Sequence, residues 1–181
     1  MNTSQGRARM DRGYTHIYTG NGKGKTTAAL GLVMRAAGAG LRVRLIQFLK
    51  SGDYSEHRAL TRFADQVEVE QFGTGRFVRG NPGPEDFESA KKGLAEAQKA
   101  LFSGLFDMVV LDEAVVAAKT GLFREDDLLA LMAAKPANME LVLTGRGASD
   151  DLIAAADLVT EMVERKHYFK EGVPARVGVE K

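Results

Sequence analysis

The feature that most constrains this chain is the run Thr15-His16-Ile17-Tyr18-Thr19-Gly20-Asn21-Gly22-Lys23-Gly24-Lys25-Thr26-Thr27, continued without a break by Ala28-Ala29-Leu30-Gly31-Leu32. It reads as a short strand, a glycine-rich turn and a helix opening at Gly24-Lys25-Thr26. Three glycines in five residues allow positive φ angles and let the backbone come close to a bound group. Successive N–H groups then point inward, and the start of the helix adds partial positive charge, which together make an anion site. On this reading Gly20, Asn21, Gly22, Lys23, Gly24, Lys25, Thr26 and Thr27 cradle a phosphate chain. Lys25 reaches the phosphates and the Thr26 hydroxyl holds a Mg²⁺. The pattern G-x-x-x-x-G-K-[ST] is met with one departure, Thr19 standing where it asks for glycine.

Composition narrows what surrounds this loop. A chain of 181 residues with 44% hydrophobic and 27% charged residues suits one soluble α/β domain over 14–181, preceded by a basic arm over 1–13 that carries Arg7, Arg9 and Arg12. Basic and acidic residues nearly cancel, 25 against 24, so neither nucleic acid nor a membrane surface is expected as a partner. With no cysteine in the chain, a disulfide framework, a thiolate metal site and a cysteine nucleophile are excluded. The first dozen residues lack the apolar run of a secretory signal, and no apolar segment approaches the ~18 residues that span a bilayer. A cytoplasmic location is the expectation.

Downstream, apolar periodicity alternates between strand and helix. A helix over 26–37 is closed by Gly38-Ala39-Gly40, and a strand over 42–49 follows. Next come a short helix over 54–63, a strand over 67–72, and a glycine- and proline-rich loop over 73–84. Pro84 opens a long helix ending at Gly104. Then come a buried strand over 106–113, a helix over 125–134, a strand over 139–144, a helix reaching Ala156 and a strand over 158–163. Six strands alternating with helices predict a three-layer α/β fold of the P-loop NTPase (RecA-like) kind, with a mostly parallel sheet. Ligands of such sheets gather at the carboxyl ends of the strands. Those ends carry Lys50, the pair Asp112-Glu113, and Arg146. Asp112 or Glu113 is expected near the Mg²⁺, directly or through water, and Arg146 is placed to hold an anion. Phe77 and Val78, set between Arg76 and Arg79 in the long loop, offer an apolar surface to a large ligand. His16, His57 and His167 form no acid–base triad with other residues.

With these blocks in order, the chain resembles the P-loop type of corrinoid (cob(I)alamin) ATP adenosyltransferases. The likeness is carried by 18–29, Arg35-Ala36-Ala37-Gly38, Gln47-Phe48-Leu49-Lys50, Gly73-Thr74-Gly75-Arg76-Phe77, Leu111-Asp112-Glu113, Leu143-Thr144-Gly145-Arg146, 156–162 and Lys166-His167. Thr19 is this family's habit, whereas Tyr168 stands where the family often has proline. The resemblance implies transfer of the 5′-deoxyadenosyl group of ATP to the Co(I) of a reduced corrinoid, with release of triphosphate. It implies Gly20 to Thr27 around the triphosphate, the γ-phosphate deep in the loop, and Thr26 with Glu113 or Asp112 on Mg²⁺. It also implies Phe77 as an apolar wedge under the corrin, catalytic alongside Lys25 and Glu113. A homodimer whose basic arm covers a corrinoid, and a flavodoxin-like reductant, complete what the likeness implies. Two other readings compete. One is a P-loop ATPase or kinase, with Glu113 orienting the attacking group at the far phosphate. The other is a RecA-like nucleic-acid module using the basic, aromatic tail over 165–176.

Overall fold

Strands whose apolar residues point to both sides need cover on both sides, and this requirement sets the architecture. In the computed structural model, which describes residues 9–75 and 82–180, the strands are β1 (Thr15–Thr19), β2 (Val43–Phe48), β3 (Val67–Phe72), β4 (Met108–Asp112), β5 (Glu140–Thr144) and β6 (Leu158–Glu161). They form one sheet in the order β3-β2-β4-β5-β1-β6. Every pairing is parallel, where a mostly parallel sheet was expected. The helices are α1 (Lys25–Gly38), α2 (Ser55–Leu60), α3 (Pro84–Phe102), α4 (Ala114–Lys119), α5 (Glu125–Ala134) and α6 (Asp150–Ala155).

The period-two alternation of the strands sorts the core into two halves. Val43 and Leu45 of β2, Met108 and Val110 of β4 and Val142 of β5 pack with Ala29, Val33, Ala36 and Ala37 of α1 and Leu60 of α2. The intervening residues Ile46, Phe48, Val109, Leu111, Leu141 and Leu143 pack with α3, α4 and α5 on the other face. Three layers result, as the sequence predicts.

Capping explains several boundaries. Asp86 accepts the Gly83 N–H at 2.9 Å and the Thr74 hydroxyl at 2.6 Å, joining the loop after β3 to the start of α3. Ser149 caps α6 by accepting the Leu152 N–H at 3.2 Å. Two differences from the sequence reading matter for the site. Strand β6 stops at Glu161 rather than running to residue 163, because Met162 turns onto the phosphate loop and accepts the Gly22 N–H at 2.6 Å. Helix α4, absent from the sequence reading, starts immediately after Glu113.

The carboxyl ends of β1, β2, β4 and β5 thus face one pole and carry Gly20, Lys50, Asp112 and Arg146 respectively. Gly93 sets how closely α3 lies over the sheet, since a Cβ there would meet Phe48 Cε1 at 2.7 Å and Phe72 Cγ at 2.9 Å. Gly93→Ala gains about 1 kcal/mol of helix propensity but overpacks a site between rings, which costs about 1–3 kcal/mol. Net destabilisation is expected, read as a lower denaturation midpoint at unchanged m-value.

Candidate active site

The loop between β1 and α1 takes its shape from three glycines used in two ways. Gly20 (φ 92°) and Gly24 (φ 115°) adopt left-handed backbone that other residues rarely take. Gly22 does not; it is required because a Cβ would meet the Met162 carbonyl oxygen at 2.7 Å. Gly24 is the residue before the first turn of α1, so the N–H groups opening that helix face the loop. Lys25 is buried, and its ammonium donates to the carbonyls of Gly20 and Gly22, each at 2.7 Å. Burial, with repulsion from Arg146, holds its pKa below the ordinary lysine value against the pull of Glu113.

Behind the loop lies Asp112, with no exposed surface. Its Oδ1 accepts from the hydroxyls of Thr26 (2.8 Å) and Thr144 (2.7 Å), and its Oδ2 from Gln47 Nε2 (3.0 Å) and Lys50 Nζ (2.7 Å). Burial alone would raise its pKa. The Lys50 charge and the Lys50, Thr144 and Thr26 hydrogen bonds outweigh that and hold the carboxyl below the usual range. Sheet register supplies this geometry, because Gln47 is the cross-strand partner of Asp112. The other end of Gln47 accepts from His57 Nε2, tying α2 to the same network.

Glu113 adopts φ 60° at the start of α4, and its N–H donates to Thr144 Oγ1 at 2.9 Å. Burial and the neighbouring Asp112 push its pKa up, against the opposing charges of Lys50, Lys25 and Arg146. Lys23, Lys25, Thr26, Lys50, Glu113 and Arg146 line one cleft of about 640 Å³ together with Tyr54, His167 and 178–180. The tail closes one side of it. Glu180 accepts from Lys23 Nζ at 2.6 Å, from Arg176 N at 2.8 Å and from the Tyr168 hydroxyl. Among the described residues no cluster of three His, Asp or Glu side chains could enclose a metal. The donor set suits instead a hard cation that brings phosphate ligands with it, as Mg²⁺ usually does. The Thr26 hydrogen goes to Asp112, which leaves that hydroxyl's lone pairs available, with the Asp112 and Glu113 carboxylates close by.

Comparison with known proteins places the whole domain in a family. The sequence profile described as "ATP:corrinoid adenosyltransferase BtuR/CobO/CobP" matches residues 11–180. A protein named corrinoid adenosyltransferase from Pseudomonas aeruginosa is 39% identical over 174 residues, covering 96% of this chain and 86% of its own. Corrinoid adenosyltransferase CobA of Salmonella typhimurium is 33% identical over 173 residues, covering 96% and 88%. The corrinoid adenosyltransferase of Escherichia coli strain K12 is 32% identical with the same coverage. The chain belongs to the ATP:corrinoid adenosyltransferase family. Its fold is the P-loop NTPase-like one, and its activity is that of an ATP:corrinoid adenosyltransferase.

Within this adenosyltransferase the expected residues fall in three groups. Gly22, Lys23, Gly24, Lys25, Thr26, Thr27, Lys50, Glu113 and Arg146 line the cleft. Gly20 shapes the loop beside Asn21, and Asp112 sits one layer behind, reached through Thr26 and Lys50. Phe77, Val78, Arg76, Arg79 and Arg7 lie outside the described residues. Arg9 instead lines a hollow with Asp107 and Met139, at the amino ends of β4 and β5, the pole opposite the phosphate loop. Sequence reasoning assigned no role to Gln47, Thr144, His57 or Glu180. Gln47 and Thr144 were visible as polar residues inside buried strands, a signal that calls for a buried partner. Nothing local marked Glu180.

Glu113 carries a testable cost. Its folded pKa lies above the ordinary 4.5. Its charge therefore destabilises the fold fully above the folded pKa, and the penalty fades as pH falls through that value toward 4.5. Glu113→Gln is expected to raise the melting temperature at pH 7 and to match the parent at pH 4, read by pH-resolved thermal melts. Glu180→Ala is expected to speed amide exchange across 168–180 while leaving exchange in β4 and β5 unchanged, because its partners all belong to the tail and the phosphate loop.

Proposed function

We propose that ATP lies in the 640 Å³ cleft with its triphosphate in the loop 20–27, and that the Co(I) of a reduced corrinoid attacks its 5′ carbon. A cobalt–carbon bond forms, the C5′–O bond breaks, and the electron pair stays on the α-phosphate oxygen of the departing triphosphate. The observation that carries this reading is the convergence on one cleft of the loop N–H groups, Lys25, Lys50 and Arg146. Negative charge grows at the leaving oxygen, and fixed donors aimed at a phosphate chain stabilise it more than the ground state.

Lys25 lies beside the loop carbonyls it now holds, within reach of phosphate oxygens at the mouth of the loop. Its lowered pKa reflects the cost of burying its charge, a cost that an anion relieves. Thr26, with Asp112 behind it and Glu113 beside it, is proposed to hold Mg²⁺. When bound, that ion neutralises triphosphate charge and acts as a Lewis acid on the leaving group. Arg146, exposed at the rim, is suited to bidentate contact with a phosphate. No protein nucleophile is needed, since the reduced metal of the substrate is one. That agrees with a chain without cysteine.

The basic arm 1–13 beside one catalytic domain 14–181, the Phe77 wedge, a homodimer, a flavodoxin-like reductant and a cytoplasmic setting belong to the same proposal and rest on the family likeness. The pole at which Arg9 lies favours an arm that serves a neighbouring subunit. Among the described residues no helix is long and apolar enough to cross a membrane.

The test is anaerobic incubation with ATP, Mg²⁺ and chemically reduced cob(I)alamin. Light-sensitive adenosylated corrinoid and free triphosphate are expected in equal amounts. Release of ADP and phosphate instead would move the assignment to γ-phosphoryl transfer. Lys25→Ala is expected to lower kcat at least about 10²-fold, the scale of losing one preorganised charge-stabilising donor, with an unchanged circular dichroism spectrum.

A further inference from the structure

Lys50 holds a position that the Mg²⁺ reading gives to the metal. Its ammonium lies 2.7 Å from Asp112 Oδ2 and 3.4 Å from Thr26 Oγ1, the two side chains assigned above to the metal side of the site. A cation therefore already stands between them.

The placement is built into the backbone. Leu49, immediately before Lys50, adopts φ 61°, and Glu113 adopts φ 60°; these are the described non-glycine residues with positive φ. Such backbone is costly for a branched residue and persists where its surroundings enforce it. Both positions follow neighbouring strands, β2 and β4, at the same pole. Lys50 is also clamped from outside, since a Cβ on Gly73 would lie 2.5–2.6 Å from its backbone atoms. Its side chain is the part left to move, and the Tyr54 ring, 5.7 Å from the ammonium, lines the way toward the cleft. Of the groups bonded to Asp112, Gln47 and Thr144 are fully buried on strands, and Thr26 is fixed in the first turn of α1. Lys50 alone of these donors arrives from a loop. Burial works against its charge, but Asp112, aided by Glu113 and Glu56, more than compensates, so it remains an ammonium.

We propose that Lys50 is an internal counter-ion of Asp112 that exchanges with the divalent cation. As a metal–nucleotide complex docks, the ammonium turns from Asp112 toward the phosphates, and Thr26 with Asp112 comes to face the divalent ion. This inference rests on the reading of Thr26 and Asp112 as the metal side of the site. It means that the free divalent ion is refused: a second cation a few ångströms from the ammonium is repelled unless phosphate draws Lys50 away. Metal and nucleotide then load together, and Asp112 is never left buried without a counter-charge, a state that strongly destabilises folded proteins.

Mn²⁺ titration of the full chain tests this without reference to turnover. It is read without nucleotide by the loss of the free electron paramagnetic resonance signal, and with ATP by the enhanced water-proton relaxation of protein-bound Mn²⁺ over a Mn²⁺–ATP control. Without nucleotide, Lys50→Met is expected to bind Mn²⁺ at least about tenfold more tightly than the parent. With ATP present the order reverses, since the variant lacks a phosphate contact. Lys50→Gln, which keeps a hydrogen bond to Asp112, serves if the methionine variant folds poorly and is expected to shift the same way. Adding Asp112→Asn to Lys50→Met should abolish the Mn²⁺ binding gained. Equal Mn²⁺ affinity of parent and both Lys50 variants without nucleotide would overturn the exchange while leaving the metal reading standing. Absence of Mn²⁺ binding by the parent even with ATP would overturn the metal reading, and the exchange with it.

Discussion

Asp112 is the group around which the site is assembled. A carboxylate with no exposed surface is tolerable only when nearly every lone pair is bonded and a counter-charge lies close. Meeting that demand takes four donors from four elements: Thr26 of α1, Gln47 of β2, Lys50 of the following loop and Thr144 of β5. The register of three adjacent strands and the start of α1 are thereby tied to one pair of oxygen atoms. Charge-assisted hydrogen bonds contribute about 1.5–3 kcal/mol each, so a slip of any of these elements forfeits a large share of a typical domain's stability. The phosphate loop is held in place by the same bonds that would serve chemistry.

Two opposite pKa displacements on adjacent residues follow from this arrangement. Asp112 is driven down by bonded donors and the Lys50 ammonium, whereas Glu113 is driven up by burial and by Asp112. The chain therefore keeps one permanent anion behind the loop and one carboxylate, facing the cleft, whose charge is costly to hold. Both displacements arise beside Lys25, Lys50 and Arg146, three of the four lysine and arginine side chains on the cleft wall. The cleft is thus electrostatically unfinished, and a polyanion carrying a divalent ion is the kind of ligand that completes it. The strained backbone at Leu49 and Glu113 belongs to the same economy: it aims two side chains at a point that relaxed strand ends would not reach.

Much of this was legible in the sequence because the dominant signals are local. Strand, glycine turn and Gly-Lys-Thr-Thr lie within a dozen residues, so the loop and the first turn of α1 could be read before any tertiary contact was known. The strands could be read because their apolar runs are short and separated by turn residues, and helix α3 because Pro84 and Gly104 bracket its period. What escaped depends on pairing. That Gln47 faces Asp112 is a matter of parallel register, which periodicity does not specify. That Lys50 turns inward depends on a positive φ at a leucine, a conformation no residue preference would suggest. Helix α4 is a six-residue turn without a proline or a side-chain cap to announce it. For Gly22 the sequence suggests positive φ and close approach to a bound group; its φ is not positive, and a Cβ there would instead meet the Met162 carbonyl.

That last contact shows how far along the chain the phosphate loop's shape is decided. The Gly22 N–H is given to the Met162 carbonyl at 2.6 Å, so that loop N–H is withdrawn from an incoming anion by a residue 140 positions later. Lys23, immediately after it, pairs with Glu180, and Glu180 is gathered by Tyr168 and Arg176 of the same tail. Of the loop's donors, the Gly22 N–H and the Lys23 ammonium are thus already engaged, while the N–H groups that open α1 have the helix dipole behind them. The segment after β6 thus engages two donors of the glycine-rich turn, through backbone and tail contacts that no motif pattern contains. A short motif describes the loop's own residues; the contacts made by the chain after the last strand decide which of the loop's donors are already engaged.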